Sequence, residues 1–219
     1  MMLGARTGVW SGKALPYDYL VEYIHFLKSE SYDSNRFDSG LVSEDDVGMR
    51  LEIERIFDLT KDSVALGVRD NTVSNGRFFV GGWKNGVQHQ HYFGWGTRTD
   101  VNGLRLNAPY SIGLNFKNSR SLTIDDSVVG SITSNWNYRK IPINVPIYTY
   151  TNYTTGQISN FTGEERYKYR RIMLSKGYDV VRDYVPCVKD GEVCMFDNIN
   201  QELKRFIYGG TNIGVGPRI

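Results

Sequence analysis

The residues best suited to chemistry form an aromatic cluster in the first half of the chain. Trp83, Tyr92 and Trp95 lie close together in the sequence, between glycine-rich turns. Asn85 and His91 stand beside them. Aromatic rings stack on apolar C–H surfaces, and a few directed polar groups orient a ligand against them, so this spacing predicts a sugar-binding site. The alternative is that Trp83 and Trp95 pack in the core or at an edge of the fold.

A second aromatic loop follows later in the chain. Trp136 and Tyr138 flank Asn137 in the run NWNYRK, where the surrounding residues are polar. Aromatic side chains with polar neighbours are suited to ligand contact, because one end of the ring can remain hydrated. This loop is therefore a second candidate for sugar binding.

Two groups of residues could hold a metal ion. Asp125 and Asp126 are adjacent at a predicted turn, and Ca²⁺ prefers oxygen ligands, although turn formation alone also explains the pair. His89 and His91 are two apart on a predicted strand, so both side chains emerge on one face, as a metal pair requires. No third ligand stands nearby, and the alternative is a wet strand face. We expect no obligatory cofactor, with calcium as the alternative at the two aspartates.

Catalytic motifs are scarce. The sequence has no G-x-S-x-G motif and no glycine-rich phosphate loop before a helix. Glu52 and Glu54 alternate on one strand, which is the spacing that a glycosidase pair would need. They also fit the solvated edge of an amphipathic strand. We therefore expect a protein that is not an enzyme, with no catalytic residues to assign.

Composition and charge narrow the class further. A chain of 219 residues with 40 % hydrophobic and 23 % charged residues fits one ordinary globular domain. The net charge of +2 is spread without long runs, so we expect no nucleic-acid partner. No segment has the apolar core of a signal peptide or the roughly 20 apolar residues of a membrane helix, which predicts no secretion signal and no membrane insertion.

Hydrophobic periodicity predicts an all-β fold. Met49, Leu51 and Ile53 alternate with charged residues over 47–57, which is the period of a strand with one wet face. The same period in 109–117 resumes after a polar turn, which predicts a hairpin. Short helices are candidates only at 164–168 and 197–202. Further strands are predicted near 20–27, 63–68, 76–82, 87–95, 145–151, 169–175, 179–185, 192–197 and 204–209.

The two cysteines flank a predicted hairpin turn. Cys187 and Cys194 enclose VKDGEV, in which Asp190-Gly191 is suited to a type I′ turn. Such a turn places the thiols opposite each other. They could form a cross-strand disulfide or remain packed thiols.

Several segments together resemble a known family. Val21, Glu22, Tyr23 and Ile24 lead to Asp38-Ser39-Gly40, and Asp126 stands where a related hairpin carries glycine. The closing segment has a series of matching residues in order: Arg182, Asp183, Pro186, Gly191, Met195, Asp197 and Gly209. These features resemble the concanavalin A-like (LamG-like) jelly-roll family found in phages, including crAss-like phages of gut Bacteroidales, and in mobile elements. Residues 2–13 resemble the short leader of phage-encoded members.

The resemblance implies a fold and a role. It predicts a leader or attachment segment at 1–16 and a concanavalin A-like sandwich of two antiparallel sheets at 17–219. The role would be a non-catalytic, lectin-like virion protein of a tail or head fibre that recognises host surface glycans. Other virion proteins would be partners, and a homo-oligomer, with a trimer as the natural state of a fibre, would raise avidity. The alternative functions are a purely structural virion protein and a polysaccharide-cleaving enzyme of the same fold. If the protein is bacterial rather than viral, the expected location is the cytoplasm.

Overall fold

The computed structural model describes fourteen segments of the chain: residues 15–26, 36–42, 47–55, 63–69, 77–82, 89–93, 97–101, 108–115, 121–131, 142–146, 150–152, 158–159, 167–206 and 213–219. All regular elements in these segments are β-strands, which confirms the all-β prediction. The described residues accordingly include no helix that could cross a membrane.

The described segments contain nineteen strands. They are β1 (Tyr19–Leu20), β2 (Ile24–Phe26), β3 (Arg36–Val42), β4 (Val47–Arg55), β5 (Ser63–Arg69), β6 (Arg77–Gly82), β7 (His89–Phe93), β8 (Thr97–Val101), β9 (Pro109–Asn115), β10 (Ser121–Ile124), β11 (Ser127–Ser131), β12 (Pro142–Pro146), β13 (Tyr150–Asn152), β14 (Ile158–Ser159), β15 (Tyr167–Lys176), β16 (Asp179–Lys189), β17 (Glu192–Asp197), β18 (Glu202–Arg205) and β19 (Ile213–Val215).

The largest sheet has eleven strands. Its main path is β11-β10-β9-β4-β15-β16-β17-β18, and β1, β2 and β19 pair beside it. Every pairing in this sheet is antiparallel. The predicted strand at 47–57 is β4, in the centre of the sheet, and the predicted hairpin is formed by β9 and β10.

Alternation along these strands gives the large sheet two different faces. On β4, Leu51 is fully buried, whereas the neighbouring side chain of Glu52 is 33 % exposed. We call the side of Leu51 the core face and the side of Glu52 the polar face. One-residue alternation thus separates the stabilising residues from the hydrated ones.

The core face of the main path packs against β3, and Ile24 on β2 and Ile213 on β19 are buried in the same core. Phe37 on β3 makes edge contacts with Tyr184 and Phe206, at ring-centroid distances of 4.9 and 5.5 Å. Full burial of a large apolar side chain contributes about 1.5–3 kcal/mol, so this layer supplies most of the stabilisation. The buried members of the core are Val21, Ile24, Phe37, Leu41, Met49, Leu51, Ile53, Tyr110, Ile112, Tyr167, Tyr169, Ile172, Leu174, Tyr184, Val188, Met195, Phe206 and Ile213.

Two smaller sheets complete the described fold. One has the order β14-β13-β5-β6-β7-β8 and contains a parallel pairing between β13 and β5. The other pairs β12 with β3. β5, β6 and β7 fall on runs predicted as strands, and β12 and β13 overlap the run predicted at 145–151, whereas β3, β8 and β14 were not predicted.

The predicted Asp190-Gly191 turn is confirmed. Both residues have positive φ, 53° and 77°, as a type I′ turn requires, and β16 pairs with β17 across it. Cys187 lies directly opposite Cys194 in this hairpin. Both are buried free thiols, so packing rather than a disulfide describes this state.

The helical prediction at 197–202 is wrong. Residues 198–201 form a turn, and Glu202 begins β18. The carboxylate of Asp197 accepts hydrogen bonds from the amides of Ile199 and Asn200, which competes with helical hydrogen bonding. The second helical candidate fails at residues 167 and 168, which belong to β15, and its first three residues lie outside the described segments.

Two other local predictions are corrected by the structure. The run near 20–27 is divided into β1 and β2, since Val21 makes only an isolated bridge, to Arg218. The Asp38-Ser39-Gly40 turn is an irregularity inside β3 rather than a connection between strands. Gly40 has φ +72°, and its amide donates to Asp38 Oδ1 at 2.8 Å, so the chain bends without ending the strand.

Candidate functional site

A groove lies on the polar face of the large sheet, and its first component is a row of residues across four strands. Met173 on β15 pairs with Arg50 on β4, Arg50 with Gly113 on β9, and Gly113 with Thr123 on β10. Residues in register on adjacent strands project to the same face. The sheet register therefore brings together four residues that are distant in sequence.

Two hairpin turns bound this row. The turn between β10 and β11 contributes Asp126, and the turn between β15 and β16 contributes Gly177 and Tyr178. Ser175 and Val180, which pair beside the second turn, line the groove as well. The cavity volume is about 420 Å³, within the range of roughly 300–1,000 Å³ that is typical of small-molecule sites.

An ion pair fixes the polar side of the groove. Arg50 Nη1 lies 2.9 Å from Asp126 Oδ1, and Arg50 Nη2 donates to Asp126 Oδ2 at 3.1 Å. The same Nη2 also donates to Ser111 Oγ at 3.3 Å. This two-point contact orients the guanidinium plane, so the groove presents a fixed rather than a mobile charge.

Gly113 keeps the centre of the row open. A Cβ atom at this position would lie 2.5 Å from Thr123 Oγ1. Any side chain here would displace the Thr123 hydroxyl from the sheet surface. The absence of a side chain at Gly113 thus positions a hydrogen-bonding hydroxyl in the groove.

The apolar side of the groove carries an accessible aromatic ring. Tyr178 is 69 % exposed and Val180 is 48 % exposed, although both belong to a tightly paired hairpin. Met173 adds a flexible apolar side chain from the neighbouring strand. Aromatic surface, hydroxyl groups and a charged pair therefore surround one cavity.

Next to the groove, the polar face is crossed by ion pairs. Arg171 donates to both carboxylate oxygens of Asp183, at 2.6 and 2.8 Å, and its Nη1 is 3.7 Å from Glu52. Glu54 accepts from Lys168 and Arg170, each at 2.9 Å. Arg170 also pairs with Glu22.

These contacts determine the protonation state of Glu54. Burial alone would raise the pKa of its carboxyl, but hydrogen bonds from Arg170 and Lys168 outweigh burial and lower it. The carboxylate is therefore ionised at neutral pH and unsuited to donate a proton. Hydrogen bonding to Asp183 likewise raises the pKa of Arg171, which stays charged.

The segments that carry the family resemblance supply a structural cluster of Ser39, Arg182, Asp183 and Asp197, whereas Asp126 lines the groove. The fully buried Asp197 accepts from the amide of Asp183 at 3.2 Å and from Asn200 Nδ2 at 2.7 Å. Arg182 Nε donates to the carbonyl of Ser39 at 2.9 Å. These contacts join β3 to the hairpin of β16 and β17, so their role is to hold the fold.

Most of the aromatic residues predicted to bind sugar cannot be placed. Trp83, Asn85, Trp95, Trp136 and Tyr138 lie outside the described residues. The backbone of His91 and Tyr92 lies in β7, as predicted, opposite Thr99 and Arg98 of β8. The predicted aromatic sites remain predictions.

The predicted calcium ligands are placed at the turn between β10 and β11. Asp125 Oδ1 accepts from the amide of Ser111 at 2.9 Å, and Asp126 pairs with Arg50. Both aspartates have positive φ, 47° and 66°. Within the described segments, no group of three or more His, Cys, Asp or Glu side chains is arranged to hold a metal ion.

Sequence reasoning did not identify Arg50, Thr123 or Tyr178 as site residues. Arg50 is one of the charged residues that alternate with Met49, Leu51 and Ile53, a pattern that predicts only a wet strand face, and Tyr178 follows a glycine in a short turn. The turn position was a usable signal, because a large aromatic side chain in a two-residue connection between buried strands has little core to enter. No pattern in the sequence predicted the strand register that brings these residues together.

Comparison with protein-family models, curated proteins and solved structures finds no match to this chain.

Proposed function

We propose that this protein is a non-catalytic, lectin-like module that binds a glycan in the groove on its polar face. The observation that carries the proposal is the exposed Tyr178 ring facing the same cavity as the Arg50–Asp126 pair. Sugar recognition in water needs this combination, since a ring face covers C–H groups while directed polar groups bind hydroxyls.

The groove offers each part of such a contact. Tyr178 supplies the stacking surface, and Thr123 and Ser175 supply hydroxyls that both donate and accept hydrogen bonds. Asp126 has carboxylate lone pairs beyond those that accept from Arg50. A sugar ring in the groove would thus meet an apolar surface on one side and fixed polar groups on the other.

The carboxylates near the groove favour binding over hydrolysis. A glycosidase needs a protonated carboxyl as its general acid, and such groups usually have raised pKa values. The pKa of Glu54 is lowered instead, and Glu52 contacts Arg171. This arrangement supports a module that binds sugar without cleaving it.

The wider setting of the proposal comes from the family resemblance. We infer a concanavalin A-like jelly-roll sandwich that serves a phage particle as part of a tail or head fibre and binds host surface glycans. Weak single-site sugar binding is commonly strengthened by multivalency, so a homo-oligomer such as a trimer fits this role. The purely structural virion protein remains the rival, and the exposed Tyr178, Val180 and Val128 would then be subunit contacts.

A glycan array with three proteins tests the proposal. The wild type is compared with Tyr178→Ala and with a Trp83→Ala/Trp95→Ala double variant, each confirmed to be folded by circular dichroism. We expect Tyr178→Ala to weaken binding about tenfold, because loss of a stacked ring costs roughly 1 kcal/mol or more. A repeat with a calcium chelator tests the predicted ion.

The outcomes separate the hypotheses. Loss of binding in the tryptophan variant but not in Tyr178→Ala would place the site in the predicted aromatic cluster and overturn the groove. Folded, oligomeric wild type that binds no glycan would favour the structural virion protein. Release of sugar fragments would indicate the enzyme.

A further inference from the structure

We propose that the groove discriminates against acidic sugars and that Asp126 is the residue responsible. This inference rests on the proposed sugar-binding function and specifies its ligand class. The expected ligand is a neutral, hydroxyl-rich saccharide, and uronic or sialic acid units are disfavoured at the groove.

The charge balance of the groove carries the argument. Of the described residues that line it, only Arg50 and Asp126 carry a charge. Asp126 contacts both terminal nitrogens of Arg50, so the guanidinium already has a bidentate carboxylate partner. A carboxylate on a sugar would have to displace Asp126 and would be repelled by it.

Neutral hydroxyl groups face no such competition. A hydroxyl can donate to an outer lone pair of Asp126 and accept from Thr123 or Ser175 without breaking the ion pair. The pair is also partly hydrated, with side-chain exposures of 40 % for Arg50 and 68 % for Asp126. A ligand can therefore reach its outer edge.

The backbone at Asp126 supports a role for its charge. Its φ of 66° lies in the left-handed region, which glycine adopts most readily and aspartate only occasionally, and the equivalent position of the other type I′ turn is Gly191, with φ 77°. The chain thus places a carboxylate where glycine would fit with less strain. Strained residues are often found where function requires the side chain.

Asp126→Asn is the appropriate test variant. Asparagine tolerates left-handed backbone conformations, so the turn should be retained while the charge is lost. Asp125→Asn is the matched control, because it removes the same charge from the adjacent residue, whose Oδ1 accepts from the Ser111 amide. The two variants have equal net charge and differ in whether Arg50 keeps its carboxylate partner at residue 126.

The measurement uses an array in which neutral oligosaccharides are printed beside counterparts oxidised at C6 to uronates. We expect wild type to bind the neutral forms more tightly. Asp126→Asn should shift the uronate-to-neutral affinity ratio about two- to fivefold towards uronates, the effect of an exposed charge pair. The shift should shrink near 1 M salt, where the screening length is about 3 Å.

Failure of the inference and failure of the proposed function give different results. If folded wild type binds no glycan, the proposed function is overturned, and the inference about selectivity is overturned as well. If wild type binds glycans but prefers the uronates, or if Asp125→Asn shifts the ratio as much as Asp126→Asn, only the assignment of selectivity to Asp126 is overturned.

Discussion

The core face and the polar face of the large sheet use the same strands in opposite ways. On β4, Leu51 is fully buried on one face, and Glu52, the next residue, contacts Arg171 on the other. The core face is mainly apolar, although it includes the buried Asp197, whereas the polar face changes along its width from the groove through ion pairs to a small apolar patch. That patch contains Cys187, Cys194 and Phe196 and is covered in part by Tyr17 and Leu20.

This difference shows where the molecule can change without unfolding. The core face is stabilised by burial of apolar side chains, so removing any large one should lower the free energy of unfolding. The groove combines buried residues such as Gly113 with exposed or half-exposed side chains such as Tyr178 and Asp126, and these exposed side chains contribute little to stability. Substitutions on the two faces should therefore separate stability from binding.

The largest effect is expected from Leu51→Ala. Removing this fully buried side chain should lower the free energy of unfolding by about 2–5 kcal/mol, through lost burial and a residual cavity. Glu52→Ala, one residue along on the other face, should cost less than about 1 kcal/mol, since its ion pair is partly exposed. Urea unfolding of both variants makes the comparison. Equal losses would show that the faces do not differ in this way.

The cysteines test whether the apolar patch on the polar face is closed to water. Burial raises the pKa of Cys187 to about 12 and also raises that of Cys194. Alkylation by iodoacetamide at pH 8 should therefore be at least about a hundredfold slower in the native protein than after denaturation. Rapid native labelling would show an open patch. Labelling that requires a reductant even in denaturant would reveal a disulfide.

The ion pairs on the polar face predict a dependence of stability on pH. The lowered pKa of Glu54 means that its stabilising contribution is present above the unfolded value of about 4.3 and is lost as pH falls through the folded pKa. Glu54→Gln should thus cost about 1–3 kcal/mol at pH 7 and progressively less in acid. Glu192→Gln, at an exposed pair with Arg205, is the control and should change little. A cost that is constant with pH would contradict the assignment.

The smallest effect on stability is expected at the groove. Tyr178→Ala removes a side chain that is 69 % exposed, so the free energy of unfolding should change by less than about 0.5 kcal/mol. Thermal unfolding of this variant beside the wild type checks the expectation. A loss above about 1 kcal/mol would assign the ring to packing and weaken the case for it as a binding surface.

Local sequence patterns were sufficient for many of the individual strands and for two turns, but they did not predict β3, β8 or β14. The alternation of Met49, Leu51 and Ile53 predicted β4, because period two is a property of a single strand. Asp190-Gly191 predicted its hairpin, since positive φ at both positions selects a few residue types. The helical prediction at 197–202 is wrong because the Asp197 carboxylate accepts hydrogen bonds from nearby backbone amides. Hydrophobic periodicity contains no information about such a contact.

By itself, the sequence determined the β-strand character of most of the described segments, which face of β4 is wet, and where Cys187 meets Cys194. Only the tertiary structure decided the groove. Met173, Arg50, Gly113 and Thr123 share a row through the register of four strands, and Asp126 reaches Arg50 across a separation of 76 residues. The physical reason is that alternation is encoded within each strand, whereas register is set by pairing and packing between strands.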